Sequence, residues 1–287
     1  MFTEKILIAL DFSSHSDLLL NCINEFSVMR LKEIVLVHVI DIRIGEAAAA
    51  ISHLKIEEKL NAIAENFHSM GVKTKIFIPV GFATAEILHI AKTEKVSLIL
   101  IGSKGKSMFK EVIIGSTVFD VIRTAKMPVL IEKYTKDEDG VLVNADCRKL
   151  NKILLPIDFS ECSYKIIEKV KGLKNITEEI ILLAVLEQAE TAKAAEKSKK
   201  EYKDILEKVA CKFEELGIAT KIVVKEGMAS KHIVDVADEE NVGSIVMGTR
   251  GRGLIRTLLV GSTSDAVVRT ANKAVILVHC PIQVESR

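Results

Sequence analysis

The chain has 287 residues, 48% of them apolar, and a formal net charge of +1. That length accommodates two domains of ordinary size, and the near-neutral charge excludes a strong general attraction to nucleic acid or an anionic membrane. Apolar runs such as Ile180–Leu186 fall far short of the roughly 18 residues of a membrane-spanning helix. The segment before Asp11 is too short and lacks a cleavage site for a secretory signal, so a cytoplasmic protein is expected.

In the first half, apolar and β-branched runs predict strands at about 4–10, 33–40, 72–80, 97–102 and 127–132. Helical spacing predicts helices near 15–28, 46–70, 84–94 and 115–125. The same order returns in the second half, with strands near 151–157, 179–186, 218–225, 243–248 and 274–279. Gly71 and Gly217 fall where a long helix must stop, as C-terminal caps do. Strands apolar on both faces, separated by amphipathic helices, indicate doubly wound parallel sheets with right-handed crossovers.

The halves are one unit written twice. Lys5-Ile-Leu-Ile-Ala-Leu-Asp11-Phe-Ser13 aligns with Lys152-Ile-Leu-Leu-Pro-Ile-Asp158-Phe-Ser160. Asp158 stands ~147 residues after Asp11, and Gly248 ~146 after Gly102, a steady offset of domain size. The expected division is 1–133, a polar linker at 134–149, and 150–287.

A glycine pattern follows the fourth strand of each half. Gly102, Gly105 and Gly115-Ser116-Thr117 match Gly248, Gly251 and Gly261-Ser262-Thr263. Glycines turn main-chain N–H groups toward an anion, and a helix beginning at the last glycine adds its dipole. Phosphate contact and plain helix capping by the serines and threonines are the two readings. Lys104, Lys106 and Lys110, and Arg250, Arg252 and Arg256, are rim cations without an assigned contact. Gly105-Lys106-Ser107 is no Walker loop, because the residue five before Gly105 is Leu100, in a strand.

If the strand order is 3-2-1-4-5, Asp11 faces the first glycine loop and Asp158 the second, each at a topological switch point. These carboxylates either meet a ribose hydroxyl, or Mg2+ through water, or close a local turn to Ser13, Ser14 or Ser160. His38 is expected to be structural. The five cysteines, Cys22, Cys147, Cys162, Cys211 and Cys280, show no metal spacing and are expected to be reduced. No nucleophile–base constellation is evident.

On the motifs around Asp11, Asp158, Val37-His-Val39-Ile-Asp41 and the two glycine signatures, the chain resembles a tandem member of the universal stress protein family. The resemblance covers nearly all of both halves. It implies flavodoxin-like five-stranded sheets in the order 3-2-1-4-5 and ATP or AMP binding. It implies main-chain contacts from Val39 and Val185 to adenine, Asp11 and Asp158 near the nucleotide, and the glycine loops near ribose and phosphates. It further implies pairing of domains through their last strands, with room for a homodimer. Leu10 stands where the second half has the family-like Pro156, and Ala184-Val-Leu-Glu187 replaces His-Val-Ile-Asp.

The leading expectation is an adenine-nucleotide-binding regulatory or stress-response protein with one site per domain, acting on unidentified protein partners. A slow ATPase or nucleotidyl-transfer enzyme and an interaction module with vestigial sites are the alternatives. Valine at Gly102 or Gly248 is expected to abolish binding with near-normal folding.

Overall fold

The structure is a computed structural model and describes residues 4–21, 31–103, 114–136, 142–144, 148–186, 191–251 and 260–280. The chain divides into two units, Met1–Asn144 and Ala145–Arg287. Each is an α/β unit around a five-stranded parallel sheet.

In the first unit the strands are β1 (Lys5–Ala9), β2 (Glu33–Val37), β3 (Lys73–Phe77), β4 (Leu98–Gly102) and β5 (Val129–Glu132). All the pairings are parallel, in the order β3-β2-β1-β4-β5. The second unit repeats this with β6 (Lys152–Pro156), β7 (Glu179–Leu186), β8 (Ala219–Glu226), β9 (Ser244–Gly248) and β10 (Ala274–Val278). Its order is β8-β7-β6-β9-β10.

The central strands are apolar along their length because both faces are covered. Ile6, Leu7 and Ile8 on β1, and Ile153, Leu154 and Leu155 on β6, are at most 2% exposed. The edge strands β3 and β8 alternate and carry lysines outward. The first unit's helices are α1 (Ser14–Asn21), α2 (Glu46–Ser69), α3 (Ala83–Thr93) and α4 (Ser116–Thr124). The second unit's are α5 (Glu161–Val170), α6 (Ala192–Glu214), α7 (Ala229–Glu239) and α8 (Ser262–Thr270). The amphipathic α4 turns Val118, Val121 and Ile122 inward, and α8 turns in Val267 and Val268.

Gly71 and Gly217 stop α2 and α6 as expected, at φ 77° and 80°. Their N–H groups donate to His68 and Glu214 carbonyls, which closes a C-terminal cap. One expectation changes. The segment after β5 is more than a polar connector, because Tyr134–Lys136 and Leu142–Asn144 pair antiparallel. Strands of three residues are too short for alternation to announce them.

At the amino ends of its strands each unit has an ion-pair network of its own. Lys5 and Lys75 both reach Glu94, and Lys5 also meets Glu33 at 3.1 Å. In the second unit Lys221 meets Glu240 at 2.7 Å, and Lys152 meets Glu179 at 3.0 Å. Lys5 holds the Glu94 carboxyl below its ordinary value, with Lys75 adding to it. Lys221 does the same to Glu240. This charge cluster braces one end of each sheet and leaves the carboxyl ends for the loops that build the site.

Candidate functional site

At the carboxyl end of β1, Asp11 closes a tight turn. One carboxylate oxygen, Oδ1, accepts from the Ser13 amide at 3.0 Å, the Ser13 hydroxyl at 2.6 Å and the Ser16 hydroxyl at 2.6 Å. Ser16 Oγ in turn accepts from the Asp11 amide at 3.1 Å. The second unit reproduces the arrangement atom for atom. Asp158 Oδ1 accepts from the Ser160 amide (3.1 Å), the Ser160 hydroxyl (2.6 Å) and the Ser163 hydroxyl. The next residue is left-handed in both turns, Phe12 at φ 54° and Phe159 at φ 61°. A phenylalanine there costs about 1–2 kcal/mol. Strain written twice at one position, beside the predicted switch point, marks a turn that the surrounding bonds hold in place.

The turn to serine is thus what Oδ1 does. Oδ2 of Asp158 points elsewhere, into contact with the position a Cβ on Gly251 would occupy. The carboxylate and the glycine loop therefore face one another, as a 3-2-1-4-5 sheet requires.

The glycine loops lead into α4 and α8. Gly115 and Gly261 are the N-cap residues, and neither helix start has a side-chain cap bond. The capping reading of the serines and threonines is therefore corrected: Ser116-Thr117 and Ser262-Thr263 lie inside the first turn. A helix beginning at glycine keeps its first amide donors available to an external acceptor. In the second unit the loop is tied down behind this opening. Gly261 N–H donates to Thr249 O at 2.7 Å, Thr249 N–H to Val278 O at 3.0 Å, and Ser264 Oγ to Gly248 O at 2.7 Å. Gly105, Lys104, Lys106, Lys110, Arg252 and Arg256 lie outside the described residues.

These pieces enclose a cavity of about 610 Å³ in the second unit, within the size range of small-molecule sites. Asp158, Val185 and the loop residues Gly248, Gly251, Gly261, Ser262 and Thr263 all line it. Apolar side chains also line it, among them Leu183, Tyr202, Met228 and Ile233. Arg250 also lines it, and its Nε is buried without a hydrogen-bond partner among the described residues. The cavity lining thus combines a cation and glycine-loop main chain with apolar side chains. Among the described residues no cluster of His, Cys, Asp and Glu could hold a metal ion.

A model of the universal stress protein family matches residues 3–133 and again 149–279. The chain belongs to the universal stress protein family. A universal stress protein of Methanocaldococcus jannaschii is 31% identical over 153 residues, which is 45% of this chain and 94% of that relative. One from a Synechocystis strain is 37% identical over 138 residues, 46% of this chain and 83% of the relative. A solved universal stress protein from Archaeoglobus fulgidus has the same fold over 97% of both chains, at 24% identity and a TM-score of 0.74. No helix among the described residues is long and apolar enough to cross a membrane.

In the first universal stress protein unit, His38 and Ile40 donate their amides to Phe77 O and Pro79 O on the β3 side. The intervening Val39 therefore directs its own main chain the other way, toward Leu10 and Asp11. His38 is structural, its Nδ1 2.8 Å from Leu10 O and its ring centroid 5.0 Å from that of Phe12. Lys59 Nζ lies over the Phe12 ring at 5.0 Å. In the second unit Phe159 packs edge-on against Tyr202 instead, at 4.6 Å.

Sequence reasoning missed Tyr202 and Met228-Ala229, which line the cavity. The expectation of reduced thiols also fails for one pair: Cys162 and Cys280 form a disulfide, their Cα atoms 5.7 Å apart. They are separated by 118 residues, a distance only the fold can close. Cys211 is free and exposed, while Cys22 and Cys147 lie outside the described residues.

Proposed function

We propose that each unit binds one adenine nucleotide, ATP or AMP, and that occupancy sets the surface the protein offers to regulatory partners. The observation that carries this reading is the polarity of the second-unit cavity. Its phosphate end is built from the Gly248–Gly251 loop, the uncapped start of α8 and the Arg250 guanidinium. Backbone donors and a fixed cation suit an anion whose charge is spread over several oxygens. The apolar wall of Leu183, Tyr202 and Ile233 suits a flat heteroaromatic ring, and the Val185 main chain lies where it can read the ring's edge. In this reading the Asp158 carboxylate meets a ribose hydroxyl rather than the polyphosphate, where charges of one sign would repel.

For the first unit the same reading rests on the matching Asp11 turn, the Val39 main-chain direction and the uncapped start of α4 at Gly115. Ser116 and Thr117 then add hydroxyl donors beside Gly102. Differential affinity of a nucleotide for open and ordered loops is what would couple occupancy to the surface.

Purified protein denatured without added ligand is expected to release adenine nucleotide, identified by absorbance and mass. Calorimetric titration of ligand-free protein with ATP and with AMP is expected to give two sites per chain. Absence of binding at millimolar nucleotide by folded protein would falsify the proposal.

A further inference from the structure

One cysteine of a disulfide lines the second-unit cavity, and both of its cysteines are connected to the glycine loop. Cys162 is half-buried and lines the cavity. Its Sγ occupies the space a Cβ on Gly248 would need, so the sulfur rests directly on the first glycine of the loop. Cys280 is 8% exposed, and its amide donates to Thr249 Oγ1 at 3.4 Å. Thr249, next to Gly248, also binds Val278 and Gly261 through its main chain. The bond therefore clamps the start of α5, which follows the Asp158 turn, to the end of β10, which holds the loop.

We infer that Cys162 and Cys280 form a reversible redox site that controls nucleotide affinity at the second cavity, an inference that rests on the nucleotide reading above. Two bonded sulfurs sit about 2 Å apart, whereas two thiols must separate to non-bonded contact. Cys162 Sγ is already packed on Gly248, with Arg250 O 2.8 Å and Ile166 Cδ1 3.3 Å from that glycine's Cβ position. A displaced sulfur therefore moves the loop or releases α5. The oxidised cavity is preorganised for its ligand and the reduced one is not.

A dithiol reductant supplies the two electrons. Its thiolate attacks Cys162 Sγ, and Cys280 leaves as a thiolate and takes up a proton. The reductant's second thiol then displaces Cys162, leaving two protein thiols and one oxidised reductant. A low-molecular-weight disulfide reverses the exchange by the same steps. The first unit is an internal control, because the residue four after Asp11 is His15 and the one at the place of Cys280 is Tyr134.

The test uses the full chain, prepared oxidised and after reduction by a dithiol, titrated with ATP and AMP. Alkylation and peptide mapping report the state of Cys162 and Cys280 in each sample. One class of site is expected to weaken about tenfold on reduction, within the usual range of coupled sites, while the other is unchanged. Because linkage is reciprocal, saturating nucleotide is expected to make the pair harder to reduce by the same factor, about 30 mV. Cys280→Ser and Cys162→Ser are each expected to bind as the reduced protein does, with no response to reductant. Equal affinity in both states overturns the coupling and leaves the nucleotide reading standing. Absence of binding in either state overturns both. Alkylated Cys162 and Cys280 in protein purified without reductant overturns the redox pair itself.

Discussion

The first and second units share their backbone and differ in what covers the same end of it. Asp11 and Asp158 close the same turn with the same serine bonds, Phe12 and Phe159 carry the same strain, and Gly115 and Gly261 start helices without side-chain caps. Around that frame the first unit leaves Ile51 and Leu54 at least 64% exposed, and its Phe12 is contacted by His38 and Lys59. The positions matching Ile51 and Leu54 are Lys197 and Lys200, and the second unit adds a disulfide and Tyr202 at its cavity. The difference separates the common machinery, which is main chain and turn, from the adjustable part, which is side chains on the surrounding helices.

The strongest way to break the comparison is at the glycines. Gly248→Val is expected to abolish binding at the second site and also to cost about 1–3 kcal/mol through overpacking, because a Cβ there meets Cys162 Sγ and Arg250 O. This revises the expectation of near-normal folding. Gly261 is the cleaner probe. Its φ is −70° and a Cβ would find no neighbour nearer than 3.5 Å among the described residues, so Gly261→Val is expected to fold normally and still lose phosphate binding. Gly115→Val, whose Cβ would meet its nearest described neighbour at 3.7 Å, is expected to do the same in the first unit. Calorimetry beside thermal unfolding separates the two effects. Retained binding in Gly261→Val would mean that the ligand does not use the start of α8.

Next in size is the turn itself. Asp11→Ala and Asp158→Ala each remove the acceptor for an amide and two hydroxyls, an expected loss of about 2–3 kcal/mol in the unit concerned. Hydrogen exchange of β1 and of β6 reports each unit separately. Near-equal losses are expected, and a loss confined to one unit would show that the turns only look alike.

A smaller effect distinguishes the opposite end of the sheets. Glu94 and Glu240 have folded-state pKa values held below about 4.5 by Lys5 and Lys221 respectively. A depressed carboxyl pKa contributes stability above the unfolded value and loses it as pH falls through the folded value. Urea midpoints are therefore expected to drop as pH falls below about 4.5. Glu94→Gln should flatten that limb in the first unit and Glu240→Gln in the second. An unaltered profile in either variant would remove its network from the account.

How much of this was legible in the residues follows from which forces are local. The strand Glu179–Leu186 was plain because burial on both faces writes an unbroken apolar run. Gly71 and Gly217 were legible because a φ near 80° selects glycine. The positions of Asp11 and Asp158 followed from strand ends and topology, but the left-handed phenylalanines did not, since nothing about phenylalanine favours φ of 54° or 61°. Tyr202 was not legible as a cavity residue, because periodicity tells which helix face turns inward and not whether a cavity lies behind it. The pairing of Cys162 with Cys280 belongs to tertiary structure alone. The sequence left capping open at Gly261, because Ser262 and Thr263 are good capping residues, and only the helix start shows that they stand one and two positions too late to cap.

The finest contrast lies at the ends of α3 and α7, where the chain turns left-handed before β4 and β9. The first unit uses Lys95 at φ 52° and the second uses Asn241 at φ 46°. Asparagine tolerates this region through its short polar side chain, whereas lysine pays for the clash between Cβ and the carbonyl. Lys95 forms the bend all the same, its amide donating to Lys92 O at 3.2 Å and the Val96 amide to Ala91 O at 3.1 Å. Lys95→Asn is therefore expected to stabilise the first unit by about 0.5–1 kcal/mol, and Lys95→Gly by a similar amount. Asn241→Lys should destabilise the second by the same margin. Thermal unfolding of the reciprocal pair checks this, and shifts of the same sign in the two exchanges would show that the bends are not equivalent.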